Sequence, residues 1–315
     1  MEQKVFNRRE LIEPARLRML SVRSNTRGLL QLFSQLAAIA VTTTLLALLW
    51  GSWWGVLPFM AQGILINCLY AGQHEMSHYT AFRSRWLNEW VGEIIGFFVI
   101  YPAKWDRWFH MAHHKHTQDW GKDPELLIRP PYTRWTWLLN MSSVLYWYGR
   151  IRSTLRCAFG KIPPYAWWLT ATQPREVVAE ARWYVAGYVL ILLLSLWFRT
   201  PVALQFWLAP MFLMKWVHQF QNVGEHTGLS HHGLDTMRNT RTLTGPAVVR
   251  WLVWNMSYHA AHHTFPGVPF HRLPELQTTV MSAVKHPTPV ASYLGAQREI
   301  AKLLSNRTRD PKVAI

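Results

Sequence analysis

Cysteine is nearly absent, with only Cys68 and Cys157 in 315 residues. They lie far apart and form no CxxC pair, which argues against a disulfide framework and a thiolate zinc site. Charge is scarce as well: 16% of residues are Asp, Glu, Lys or Arg, where a soluble domain carries about a quarter. Acidic residues are the scarcer sign, 17 against 33 basic, for a net charge of +16. Such an excess can signal nucleic acid. Here the basic residues border apolar blocks and collect on no soluble face, so anionic lipid headgroups are the expected partner and nucleic acid is not. No internal repeat, low-complexity tract or flexible linker is visible, so 1–315 reads as one domain.

What the chain does have is apolar sequence gathered in blocks. Half the residues are apolar although the mean hydropathy is −0.02, so strongly polar regions must separate the blocks. "LLQLFSQLAAIAVTTTLLALLW" (29–50) runs about 20 residues without a charge, enough to cross a hydrocarbon core of roughly 30 Å. "GVLPFMAQGILINCLYAG" (55–72) offers a second span, and the short uncharged "GSWW" between them predicts a hairpin. "WYVAGYVLILLLSLWF" (183–198) and "VALQFWLAPMFLMKWV" (202–217), joined by "RTP", predict a second. Nineteen tryptophans suit a membrane–water interface, where the ring is buried and its N–H stays wet.

Two further stretches are apolar but read differently. Residues 87–103 carry Glu89 and Glu93 four apart on one helical face, which predicts a helix lying at the interface or dipping in and back. Residues 135–149 predict another interfacial helix. A charged leader of about 27 residues before the first span speaks against a cleaved signal. Residues 1–28 hold seven Lys/Arg and 104–182 hold twelve, whereas the hairpin tips hold only Arg199. By the positive-inside rule both termini and the middle segment are cytoplasmic. The expected fold is an all-α, multi-pass integral membrane protein with four transmembrane helices in two hairpins (28–72 and 183–220). Interfacial helices and a cytoplasmic helical cap, 73–182 and 221–315, complete it.

Nearly all of the imidazoles sit in that cap. "HEMSH" supplies His74 and His78, one helical turn apart. "HMAHH" supplies His110, His113 and His114; "QNVGEH" supplies Asn222 and His226; "YHAAHH" supplies His259, His262 and His263. On a helix, positions i+3 and i+4 flank residue i at about 100° from one another, so one HxxHH box can serve two neighbouring metal ions. Nine imidazoles over two metals give four or five each, leaving room for water or oxygen. A zinc site needs only three or four protein ligands. Nitrogen ligands in five- or six-coordinate geometry suit iron, and the lack of thiolates argues against an iron–sulfur cluster.

These boxes resemble those of the integral-membrane fatty acid desaturase and hydroxylase superfamily. That family carries an HxxxH or HxxxxH box after its first hairpin, then HxxHH before and after its second. The likeness runs from about His74 to Leu276 and includes "HTQDWGKDPE", "NTRT" (239–242) and "YHAAHHTFPGVPFHRLPEL". Asn222 and His226 match, by spacing, an Asn-xxx-His element of the acyl-CoA desaturases, in which the His is a ligand and the Asn holds a metal-bound water. The resemblance implies a non-heme diiron centre that uses O₂ and two external electrons to attack an unactivated C–H bond. It implies an acyl-lipid desaturase first. A hydroxylase or ketolase of alkanes, sterols, carotenoids or small amphiphiles is the alternative. "HPTP" (286–289) lacks the HPGG of a cytochrome b5 module, so a separate ferredoxin, rubredoxin or cytochrome b5 with its reductase is implied.

Two other classes compete. A membrane zinc hydrolase would leave most of these histidines unexplained. A metal transporter would place its site within the spans, at the bilayer midplane. Glu75, Asp119, Asp123 and Glu225 are candidates to receive N–H bonds from ligand imidazoles and fix their tautomers. His116, His218, His231, His232, His271 and His286 read as ordinary surface or core residues. Pro266 and Pro269 are expected to end the helix bearing the third box. Residues 60–72 and 205–217 are the expected walls of an apolar substrate tunnel.

Overall fold

The computed structural model describes residues 7–126, 133–231, 233 and 235–306. Helix α1 (Pro14–Leu20) leads to α2 (Asn25–Leu48), whose first turn is capped by the Ser24 hydroxyl accepting from the Arg27 N–H. After a turn carrying Trp53 and Trp54, both exposed, α3 (Val56–Ser77) runs on to the first histidine box. Helix α4 (Arg85–Phe98) and α5 (Ala103–His116) follow, then α6 (Arg134–Met141) and α7 (Val144–Ala158). Helix α8 is Gln173–Trp197, and a π-helical turn, Leu204–Leu208, opens α9 (Ala209–His226). The remaining helices are short: α10 (Thr236–Asn239), α11 (Ala247–Leu252), α12 (His259–Thr264), α13 (Leu273–Ala283) and α14 (Tyr293–Asn306).

Among the described residues three helices are long and apolar enough to cross a membrane: Asn25–Leu48, Trp53–Ser77 and Gln173–Trp197. Most of the apolar surface of the first and third is left uncovered by protein, as lipid-facing helices require. The second is the hub, with α2, α4 and α9 packed around α3. A Cβ on Gly63 would collide with the Pro210 carbonyl, so glycine lets α9 approach. Buried amides then bridge the two: Asn67 Nδ2 donates to the Met211 carbonyl at 2.8 Å, and Gln62 Nε2 to that of Phe206 at 3.0 Å. Exposed Trp197 and Phe198 end α8, aromatic like the turn before α3.

The structure departs from the sequence reading in three places. The all-helical expectation misses two three-residue strands, β1 (Thr242–Thr244) and β2 (Val290–Ser292), which pair in parallel with Leu243 opposite Ala291. The single helix expected over 135–149 is two helices, broken where Ser143 takes a left-handed φ of 62°. Helix α8 starts at Gln173, a polar lead-in ahead of the expected span at 183. Helix α4 has 14 residues and so reaches about 21 Å, short of a hydrocarbon core. Its buried face, Asn88, Gly92, Ile95 and Gly96, keeps the one-turn spacing of a helix packed on one side only. As expected, α12 stops at Thr264, just before Pro266.

Candidate metal centre

Four elements deliver the nine box histidines to one place. Helix α3 carries His74 and is closed by His78; α5 carries His110, His113 and His114; α9 ends on His226; α12 carries His259, His262 and His263. All are buried or half-buried. They fall into two sets whose ligand atoms lie within 4.8 Å of one another: His74, His78, His110, His114 and His262 in one, and His113, His226, His259 and His263 in the other. Each HxxHH box is shared, because its adjacent histidines leave the helix about 100° apart, on either side of the first.

Non-glycine residues in the left-handed region stand beside each box: Tyr79 (φ 58°), Gln118 (φ 64°) and Asn255 (φ 58°). Such backbone persists only where surroundings over-determine it. Tyr79 Oη is hydrogen-bonded to Glu89 at 3.0 Å and to Arg107, whose guanidinium lies over its ring. The Gln118 amide donates to the His226 carbonyl, and its backbone N–H to Asp123 at 2.8 Å. Asn255 Nδ2 donates to the Phe270 carbonyl at 3.1 Å.

The ring nitrogens show what the sets can hold. His110 Nε2 lies 3.0 Å from His78 Nε2 and 2.8 Å from His114 Nε2. His259 Nε2 lies 3.1 Å from both His226 Nε2 and His263 Nε2. One imidazole nitrogen has one in-plane lone pair or one N–H, so it can satisfy only one such neighbour. His74, 4% exposed, has neither ring nitrogen hydrogen-bonded among the described residues. Hydrogen bonding therefore leaves the site unsatisfied. A cation bound at about 2.1 Å by rings set at right angles separates their nitrogens by about 3.0 Å. The residues fit two metal ions.

Protonation favours metal binding at seven of the rings, and His113 is shifted the other way. Burial, reinforced by neighbouring imidazoles, drives His110, His114, His259, His262 and His263 well below the ordinary imidazole value. Burial likewise lowers His78 and His226 to about 3. Neutral imidazoles keep the lone pair that a metal requires. His113 is pushed up to about 9, burial opposing and the Asp123 and Glu125 carboxylates prevailing. A cation at its Nε2 would displace that proton.

The four carboxylate candidates divide. Asp123, fully buried, lies 2.8 Å from His113 Nδ1 and accepts from the backbone N–H groups of Gln118 and Glu125. Glu225 sits 3.6 Å from His259 Nε2 and accepts from Gln221 at 2.8 Å; burial pushes it up to about 7. Glu75 accepts from Thr80 and from the Phe270 N–H at 3.0 Å, tying the first box to the chain beyond the third, while its other oxygen stands 4.0 Å from His262 Nδ1. That is too long for a hydrogen bond. Asp119 accepts from the Gly121 N–H and closes a turn; it bonds no box histidine among the described residues. Asn222 stands one turn before His226 on the same face of α9.

Sequence reasoning missed three partners. Glu125 Oε1 is 2.9 Å from His110 Nδ1, the Asn239 carbonyl is 3.1 Å from His226 Nδ1, and Thr117 Oγ1 is 3.2 Å from His263 Nδ1. Glu125 and Asn239 lie inside the "HTQDWGKDPE" and "NTRT" strings, which were the available signal. The other described histidines have different neighbours: His116 meets Trp167, His218 meets Lys215, His231 stacks on Trp120, His271 meets Phe270, and His286 pairs with Asp235. His232 lies outside the described residues.

Comparison with known proteins meets this geometry. A human sphingolipid delta(4)-desaturase/C4-monooxygenase is 26% identical over 218 residues, 67% of this chain and 61% of that protein. Human fatty acid desaturase 3 is 23% identical over 285 residues, covering 81% and 62% respectively. An sn-1 oleoyl-lipid 12-desaturase of Anabaena variabilis is 24% identical over 248 residues, covering 70% and 67%. The chain thus spans about three fifths of the length of the two human relatives. The fatty acid desaturase family model matches residues 51–293, from the turn before α3 through all three histidine boxes, and the chain belongs to that family.

Proposed function

We propose that the chain is a membrane-bound, O₂-dependent oxidoreductase with two irons that introduces a double bond into a lipid acyl chain. The observation that carries this reading is the division of nine histidines into sets of five and four, each with its ligand atoms gathered in one small volume. His74, His78, His110, His114 and His262 would hold one iron; His113, His226, His259 and His263 would hold the other. Asn222, one turn before His226, would hold a water beside it. When bound, the two irons supply the oxidising power to remove hydrogen from an unactivated C–H bond.

The protein's own groups set the geometry. Asp123, the Asn239 carbonyl and Thr117 fix ring orientation from behind, and so does Glu125 at His110. Burial excludes bulk water that would otherwise consume the oxidant. Two hydrogens leave adjacent carbons; with O₂, two external electrons and two protons they leave as two waters. A separate ferredoxin, rubredoxin or cytochrome b5 supplies the electrons. In this reading residues 202–217, the π-helical turn and the first part of α9, are the fourth span, and the termini and site face the cytoplasm.

Hydroxylation is the second outcome, supported by the human relative whose name joins desaturase and C4-monooxygenase. The deciding experiment supplies iron-loaded protein with acyl lipids, reductant and O₂, and analyses products by mass spectrometry. An olefin is expected, with two irons per chain. Hydroxylated product alone would defeat the desaturase reading, and one zinc with no oxygen demand would defeat the diiron reading.

A further inference from the structure

Tyr70 joins the histidine site to a second buried polar cluster that metal binding leaves unexplained. Its ring packs edge-on to His218 at 5.1 Å and lies 6.4 Å from the His74 ring. Lys215, 3% exposed, donates to His218 Nδ1 at 3.1 Å and lies 4.1 Å above the Tyr146 ring. The Arg150 guanidinium covers Tyr101 at 3.1 Å, and Tyr101 stacks on Tyr70. Asp106, fully buried, is the acid of the cluster, and its bonds come from Tyr70 and Gln73.

The charges do not close. Neither Lys215 nor Arg150 has a carboxylate within 4.0 Å among the described residues, so two cations share one distant acid. An ammonium has three donors, and among the described residues Lys215 uses one; the Arg150 guanidinium is bonded to Tyr101 and Tyr146, but its Nε has no partner there. A buried cation left so incompletely met is costly, and a methionine of equal length would fill the space without that cost. The tyrosine faces meet part of that charge, and the N–H donors still free, a short step from His74, suit an anionic oxygen ligand.

We propose that Lys215 and Arg150 bind a carboxylate-class head group of the substrate and hold it one aromatic ring away from the five-histidine set. The inference rests on the oxidoreductase reading above and narrows its substrate to amphiphiles whose acidic group lies a short spacer from the attacked carbon. Arg150 offers the planar fork that matches a carboxylate, and Lys215 the point charge.

The test titrates octanoate, 1-octanol and octylamine into protein held in neutral-lipid nanodiscs and follows tryptophan fluorescence, with iron loaded and after chelation. Octanoate should bind about tenfold or more tighter than the alcohol and the amine, with or without iron. Lys215→Met and Arg150→Gln should each remove that preference while octanol binding stays unchanged. Lys215→Met should also melt no lower than wild type, since it relieves a buried charge. If it fails to fold, the Arg150 variant, at a half-buried site, decides alone. Equal affinity for acid and alcohol, an undiminished preference in the folded variants, or octanoate binding only with iron present overturns the proposal. Failure to form olefin would defeat the proposed reaction and leave the octanoate result standing.

Discussion

The two histidine sets share helices but not support. In the four-histidine set, three rings are held at Nδ1 by protein: His113 by Asp123, His226 by the Asn239 carbonyl and His263 by Thr117. In the five-histidine set, His110 leans on Glu125, while His74, His114 and His262 have Nδ1 atoms without a partner among the described residues. Rings fixed from behind lose little freedom when a metal binds; rings without that support must be ordered by the metal itself. The four-histidine pocket is therefore built in advance, and the five-histidine pocket depends more on its occupant. A chelator should strip the second pocket first, leaving about one iron per chain at an intermediate stage.

The largest effect should come from removing one ligand from each set. His110→Ala and His263→Ala are each expected to reduce olefin formation to background and to lower iron from about two per chain to about one. Elemental analysis beside product assay checks both. Full iron and turnover in either variant removes that residue from the ligand set.

That comparison also separates what the sequence discloses from what it hides. Which histidines belong together in a box is local, because i, i+3 and i+4 spacing fixes the face each ring leaves by. The long apolar blocks are legible for the same reason: length and lack of charge are properties of a window. The supports are not local. Thr117 meets His263 across 146 positions, and His226 is held by a backbone carbonyl, which any residue type at 239 would present. The parallel pair β1 and β2 is three residues long, too short to show a period of two. The break at Ser143 carries neither glycine nor proline to announce it.

Asp123 is where the supports can be broken most severely. Asp123→Ala should weaken metal binding in the four-histidine set about 10- to 100-fold, measured by competition with a chelator. It also strips the acceptor from the buried N–H groups of Gln118 and Glu125, at about 1–3 kcal/mol each, so the melting temperature should fall too. If the variant holds both irons as tightly as wild type, the two pockets are not differently supported.

Glu125→Gln tests the other side, with about a tenfold loss expected in the five-histidine set, where Glu125 bonds His110, and a smaller one in the four-histidine set, where it stands 3.8 Å from His113 Nε2. It also has a pH signature in the metal-free protein. Burial pushes Glu125 up to about 8 from an ordinary 4.5, with His113 pulling it down and nearby carboxylates adding to the rise. The folded chain thus keeps a proton that the unfolded chain releases. Stability from this group is full below about 4.5 and is lost as pH rises through about 8. The Gln variant should therefore gain on wild type in melting temperature across that window; parallel profiles would show that Glu125 is not held protonated.

Thr117→Val is the finest of these changes, because valine preserves the branched shape and deletes only the hydroxyl. That oxygen donates to the His113 carbonyl at 2.8 Å and meets His263 Nδ1 at 3.2 Å, so it links the two boxes of one pocket. A single neutral hydrogen bond is worth about 0.5–1.5 kcal/mol net, which predicts a two- to tenfold loss of iron affinity in the four-histidine set. The five-histidine set, in which Thr117 bonds no ring and meets only the His114 carbonyl at 3.5 Å, should keep its affinity. Equal loss from both pockets would mean that the metals are held as one coupled unit, and the contrast between a prebuilt pocket and a metal-ordered one would fail.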